Sequence, residues 1–179
     1  MNMIKYFKIG VLAVGLALPA LSSAGAVTVT VQSAANSTGG GTGLATGVFL
    51  TLGQMFNVTA DPLDTWSLGS NSPCTRESNA GGLTACYGNY TQNGLTALYG
   101  SLVGQIAGGN FFLIGTNFSG AAVGTGQLLL FNFDSNTGDN SGQIVANISA
   151  VPVPPALALL GTGLLGLGAL ARKKKRSAI

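Results

Sequence analysis

The sequence predicts an all-β domain, an antiparallel β-sandwich of jelly-roll-like form, set between two membrane-directed segments. Three observations lead there. Glycine is abundant, 28 of 179 residues, while Lys and Arg number eight and Asp and Glu five, a balance that suits short strands and tight turns better than helices. Residues 27–31 read Val-Thr-Val-Thr-Val, the period of two expected of a half-buried strand. Further apolar runs at 47–51, 55–60, 98–106, 111–114, 128–133 and 143–148 are separated by Gly/Asn/Ser/Asp clusters, the chemistry of turns. No stretch between 27 and 150 sustains a helical period with caps, so this span is expected to form one sandwich domain.

The two ends read differently. Lys5 and Lys8 precede the apolar residues 9–20, and small residues follow, the order of a secretory signal peptide over residues 1–26. Val27 is the preferred first residue of the mature chain and Gly25 the second choice. Near the other end, residues 156–171 carry no charge. As a helix they would reach about 24 Å, close to the thickness of a hydrocarbon core. Arg172, Lys173, Lys174, Lys175 and Arg176 follow as a stop-transfer cluster, and the 172–179 tail is expected in the cytoplasm. Between sandwich and helix stand Val151, Pro152, Val153, Pro154 and Pro155. Alternating prolines block both helix and ladder pairing, so this link is expected to stay extended and reachable.

Charge and composition exclude several classes of function. The bases lie in the terminal segments, and between 27 and 150 only Arg76 opposes Asp61, Asp64, Glu77, Asp134 and Asp139. An acidic domain is a poor partner for phosphate backbones, so no nucleic-acid partner is expected. Histidine is absent, which removes a Ser-His-Asp triad, a His-ligated zinc and a His-ligated haem. Five acids are the only side chains left for acid–base work. No enzyme is expected.

The order Val151-Pro152-Val153-Pro154-Pro155, Gly-rich apolar helix, basic cluster resembles the PEP-CTERM protein-sorting signal, in its Val-Pro-x-Pro-Ala variants. Val153 stands where the name-giving motif has Glu, and Pro155 where Ala is usual. The resemblance implies a Gram-negative exported protein that crosses the inner membrane through the export machinery, loses its leader to signal peptidase and is held briefly by its C-terminal helix. An exosortase would then process it near the Pro motif, leaving it at the cell surface or in the extracellular matrix.

Within the domain, Cys74 and Cys86 are the only cysteines, and an exported context makes a disulfide between them the default. Asp134-Ser135-Asn136-Thr137-Gly138-Asp139-Asn140 is the densest group of oxygen-bearing side chains. It reads either as an Asx-rich turn or as a calcium loop, since calcium takes six to eight oxygens. Trp66 reads either as an exposed ring for stacking on a sugar or as core. Trp66-Ser67-Leu68-Gly69, residues 98–106, residues 126–134 and Asp139-Asn140-Ser141-Gly142, in that order, resemble the calcium-dependent galactose-binding lectins of PA-I type. The resemblance implies calcium held by Asp134, Asp139 and Asn140, with backbone carbonyls of Thr137 and Leu68 completing the shell. The family's galactose-contacting histidine has no counterpart.

Two functional classes are therefore expected. One is a binding module that holds calcium and recognises glycan or exopolysaccharide. The other is a structural matrix or biofilm protein with no discrete ligand.

Overall fold

The computed structural model describes residues 25–71 and 74–151. The expected signal peptide through residue 24, the motif residues Pro152, Val153, Pro154 and Pro155, the apolar helix and the basic tail lie outside the described residues. Val151 lies inside them, exposed just beyond the last strand.

The described residues form twelve strands: β1 (Val27–Gln32), β2 (Leu44–Leu50), β3 (Met55–Ala60), β4 (Trp66–Asn71), β5 (Cys74–Ser78), β6 (Asn89–Gln92), β7 (Leu95–Leu98), β8 (Leu102–Ile106), β9 (Phe112–Leu113), β10 (Asn117–Ala121), β11 (Gly126–Asn132) and β12 (Ser141–Ala150). They make an all-β sandwich, and every pairing between them is antiparallel. One sheet runs β10-β3-β12-β4-β5 with β1 also on β12, the second runs β2-β11-β8-β9, and β6-β7 is a separate hairpin.

β12 organises the first sheet. Its ten residues pair with β1 along one edge, Val27 opposite Ile148. Its other edge is shared between β3, with Ile148 opposite Val58, and β4, with Gly142 opposite Trp66. Alternation then decides which side chains face inward. Ile144, Ala146 and Ile148 are buried, while Val145 and Asn147 between them are exposed. Phe56 and Val58 of β3 and Val31 of β1 join this inner face and meet Leu50, Leu102, Ile106, Leu128 and Leu130 of the second sheet. Each such side chain removed from water contributes roughly 1.5–3 kcal/mol, so the sandwich interface dominates the stabilisation.

The second sheet is covered on both faces. Val103, Phe131 and Phe133 form a smaller core on its outer side, where Tyr90 and Leu95 of the β6-β7 hairpin pack. This explains why Leu130 through Asp134 are buried without alternation, as strands covered twice are.

The expected strands recur with two kinds of departure. β3 matches its expected bounds, whereas β2 begins at Leu44 and β12 runs on to Ala150. Of the expected strand over 98–106 only Leu102–Ile106 forms, as β8; Leu98 closes β7, whose other residues were not expected, and Gly100 takes φ +77° between them. A side chain at Gly100 would meet Ser78 and Leu68, so the turn needs glycine both for backbone and for space. β4, β5, β6 and β10 were not expected. Their residues are mostly Ser, Asn, Gly and Thr, and pairing to a neighbouring strand holds them where a pattern of apolar residues does not.

Candidate ligand cleft

The turn between β11 and β12 is pinned before it reaches solvent. The Thr38 hydroxyl donates to the Asp134 carbonyl at 2.9 Å, and the Asp134 N–H donates back to Thr38 Oγ1 at 3.0 Å. Gly39 permits this strap, since a Cβ there would collide with the Ser135 backbone. The Asp134 carboxylate accepts the Ser135 N–H at 2.8 Å. Burial raises its pKa above the ordinary carboxylate value. The Asn140 side chain and the N–H groups of Ser135 and Asn136 oppose that shift, and the charge of Asp139 adds to it.

Asp139 is tied on both sides. Its Oδ1 accepts the Asn136 side-chain amide at 2.9 Å. Its Oδ2 accepts Arg76 Nη1 at 3.2 Å, and the same nitrogen donates to the Leu68 carbonyl at 3.3 Å. The carboxylate lies flat against β4 because residue 69 is glycine with φ +97°; a Cβ at Gly69 would overlap Asp139 Oδ2. Asp139 therefore has a protein-supplied counter-charge. Arg76, the single base between residues 27 and 150, is brought to Asp139 by β5. The charge on Arg76 is also better placed than most surface partners, since its side chain is only 13% exposed.

Opposite these groups stands a wall of aromatic rings. Tyr99 stacks on Tyr90 with centroids 4.8 Å apart and 17° between planes, and meets Tyr87 at 5.2 Å. Tyr90 rests in turn on Phe133 at 4.9 Å, so the wall is anchored in the smaller core. The Arg76 guanidinium lies 5.1 Å from the centre of the Tyr87 ring, within the range of a cation–π contact. Cys74 and Cys86 are disulfide-bonded, as expected, with Cα atoms 5.9 Å apart. The bond joins the start of β5, two residues before Arg76, to the residue before Tyr87. It staples the rim.

Together Leu68, Arg76, Tyr87, Tyr99, Asp134, Ser135, Asn136 and Asp139 enclose a cleft of about 190 Å³. Of the residues singled out from sequence, Asp134, Asp139 and Leu68 reach it. Thr137 turns its carbonyl to the Asn140 N–H, 3.4 Å away. The Asn140 side-chain oxygen and nitrogen are shut from solvent without a well-formed hydrogen bond, although the amide lies close enough to favour the ionised form of Asp134.

Trp66 takes the core alternative. It is 1% exposed and its Nε1–H donates to the Gly100 carbonyl at 2.9 Å, so its ring packs core and is closed to a ligand. Its part is positional: the bond holds the turn that carries Tyr99. Tyr87, Tyr99 and Arg76 were missed, and only the spacing of Tyr87 and Arg76 from the two cysteines hinted at them.

The expected calcium shell does not fit these side chains as they stand. Asp134, Asn140 and the Thr137 carbonyl retain oxygen capacity that a cation would use. However, Asp139 and the Leu68 carbonyl, two of the five expected ligands, already converge on one guanidinium nitrogen. Among the described residues no group of three or more His, Cys, Asp or Glu is placed to hold a metal.

No protein-family model and no curated protein matches this chain. Among solved structures it is similar to the EclA N-terminal domain, a PllA-like lectin, with 20% identity and a TM-score of 0.47 over 69% of this chain and 95% of that one.

Proposed function

We propose that this chain is an exported surface or extracellular-matrix protein whose sandwich binds glycan in the Tyr87–Tyr99–Asp139 cleft. The observation that carries the reading is the pairing of an aromatic wall with a floor of fixed, planar polar groups. A sugar ring has apolar C–H faces and a rim of hydroxyls. Tyr99 and Tyr87 line the cleft with aromatic carbon suited to the first, while carboxylates accept from hydroxyls and a guanidinium donates to them. A few convergent polar groups in a mostly preformed concavity are what small-ligand sites share.

Two of the three acids outside the cleft serve the backbone. Asp61 Oδ1 accepts the Leu63 N–H and Asp64 Oδ2 accepts the Val145 N–H, so both hold backbone away from the cleft. The two carboxylates in the cleft are likewise engaged.

Two features support export and sorting. β1 starts at Val27 and leaves Gly25 and Ala26 exposed ahead of the sheet, where a peptidase can reach. At the other end β12 finishes at Ala150, and Val151 makes a last bond to the Met55 carbonyl. Val27 pairs with Ile148, so the first and last described residues of the domain lie at the same end of one sheet. In this account Val151, Pro152, Val153, Pro154 and Pro155 form the exosortase motif.

The test is a glycan array probed with the purified full-length chain in detergent, in parallel with Tyr99→Ala. A set of glycans retained by the wild type and lost by the variant supports the reading. A blank array, or hits that Tyr99→Ala leaves unchanged, points instead to the matrix protein without a discrete ligand.

A further inference from the structure

We infer that the Arg76 guanidinium is the resident cation of this cleft, so that the wild-type site works without calcium and holds a latent calcium site that appears only when Arg76 is removed. Nη1 sits 3.3 Å from the Leu68 carbonyl and 3.2 Å from Asp139 Oδ2. Two oxygens from different strands and loops thus converge on one positive group, as they would on a metal ion. A calcium ion needs six to eight oxygens at 2.3–2.6 Å. It cannot share these two with a guanidinium donating to both, and the two cations would repel at that distance.

The surroundings hold the arginine in place. Gly69 leaves room for the Asp139 carboxylate against β4, Asn136 fixes the other carboxylate oxygen, and the Tyr87 ring covers the guanidinium face. The disulfide between Cys74 and Cys86 fixes the strand bearing Arg76 relative to Tyr87. Arginine also keeps its charge under all physiological conditions. The consequence for recognition is a site whose donor and acceptor pattern is set by covalent chain, independent of the metal supply outside the cell.

The inference uses the same cleft as the glycan reading but not the same probe, so each can fail visibly without the other. Calcium chloride alone is titrated into the full-length protein in detergent, stripped beforehand with chelator, by calorimetry and by thermal melting. Wild type is expected to give no saturable heat and the same melting temperature in calcium and in chelator. Arg76→Gln, which frees Asp139 and the Leu68 carbonyl, is expected to gain a calcium-dependent rise in melting temperature that Asp134→Asn abolishes. A calcium-dependent rise in the wild type overturns the inference, and so does a folded Arg76→Gln protein indifferent to calcium. Where Arg76→Gln does not fold, Arg76→Ala is put through the same titration, and the wild-type arm tests the calcium-free state by itself.

Discussion

Breaking the Cys74–Cys86 bond should loosen the cleft and the fold together. The two residues are twelve apart in sequence, and closing a loop of that size lowers the entropy of the unfolded chain by an amount worth about 3 kcal/mol at 25 °C in the chain-entropy model. A domain of this size unfolds with an entropy near 0.26 kcal/mol/K, so the double substitution Cys74→Ser, Cys86→Ser should lower the melting temperature by about 10 °C. The loss also has a local part. Cys86 holds φ +79° without being glycine, a conformation that costs about 1 kcal/mol or more and persists only where neighbours enforce it. Freed of the bond, residue 86 relaxes and Tyr87 leaves the Arg76 guanidinium. Circular dichroism melts of the full-length wild type and double variant, with and without reductant, measure the first effect. Quenching of tyrosine fluorescence by iodide measures the second. A double variant melting within about 2 °C of the oxidised wild type would refute the entropic argument. Unchanged quenching would refute the claim that the bond positions the rim.

Two further outcomes are expected. Gly69→Ala places a methyl group where Asp139 lies and forces an L-residue to φ +97°, so it should cost about 2 kcal/mol in urea unfolding and weaken any cleft ligand; a variant as stable as wild type removes the claim that Gly69 makes room for the carboxylate. In the native host, mass spectrometry of the exported protein should find a mature N-terminus at Val27 or Gly25 and no peptide containing Arg172 through Arg176; recovery of that basic tail in the surface or secreted fraction contradicts the sorting account.

The sandwich was legible wherever burial follows a period of two. Residues 55–60 and 143–148 alternate because one side chain in two enters the core, and β3 and β12 form there. The same signal is missing from β4 and β5, whose Ser, Gly and Asn residues are held by pairing to a neighbouring strand. At 98–106 the apolar run concealed a turn at Gly100, whose carbonyl accepts Trp66 Nε1–H.

The cleft was half legible for a related reason. Asp134 and Asp139 stand out as a local cluster of oxygen ligands, and both line the cleft. The neutralising partner of Asp139 is 63 residues away along the chain, and no local pattern signals such a contact. Trp66 drew attention as the single tryptophan, yet composition cannot say which face of a strand a ring occupies. Tyr90 and Tyr99 meet because Asn89 through Gln92 pair with Leu95 through Leu98, and neither strand has the apolar alternation that would have announced the hairpin.

On the proposed reading, the aromatic wall and the arginine-held carboxylate act as one binding surface. Calorimetric titration of the full-length wild type, Tyr99→Ala and Asp139→Asn with the strongest glycan from the array, each in calcium and in chelator, tests this. Wild-type affinity is expected to be the same in both buffers. Each substitution should weaken it at least about tenfold, which corresponds to about 1.4 kcal/mol, with melting temperatures close to wild type. Full affinity in Tyr99→Ala and Asp139→Asn would contradict the account.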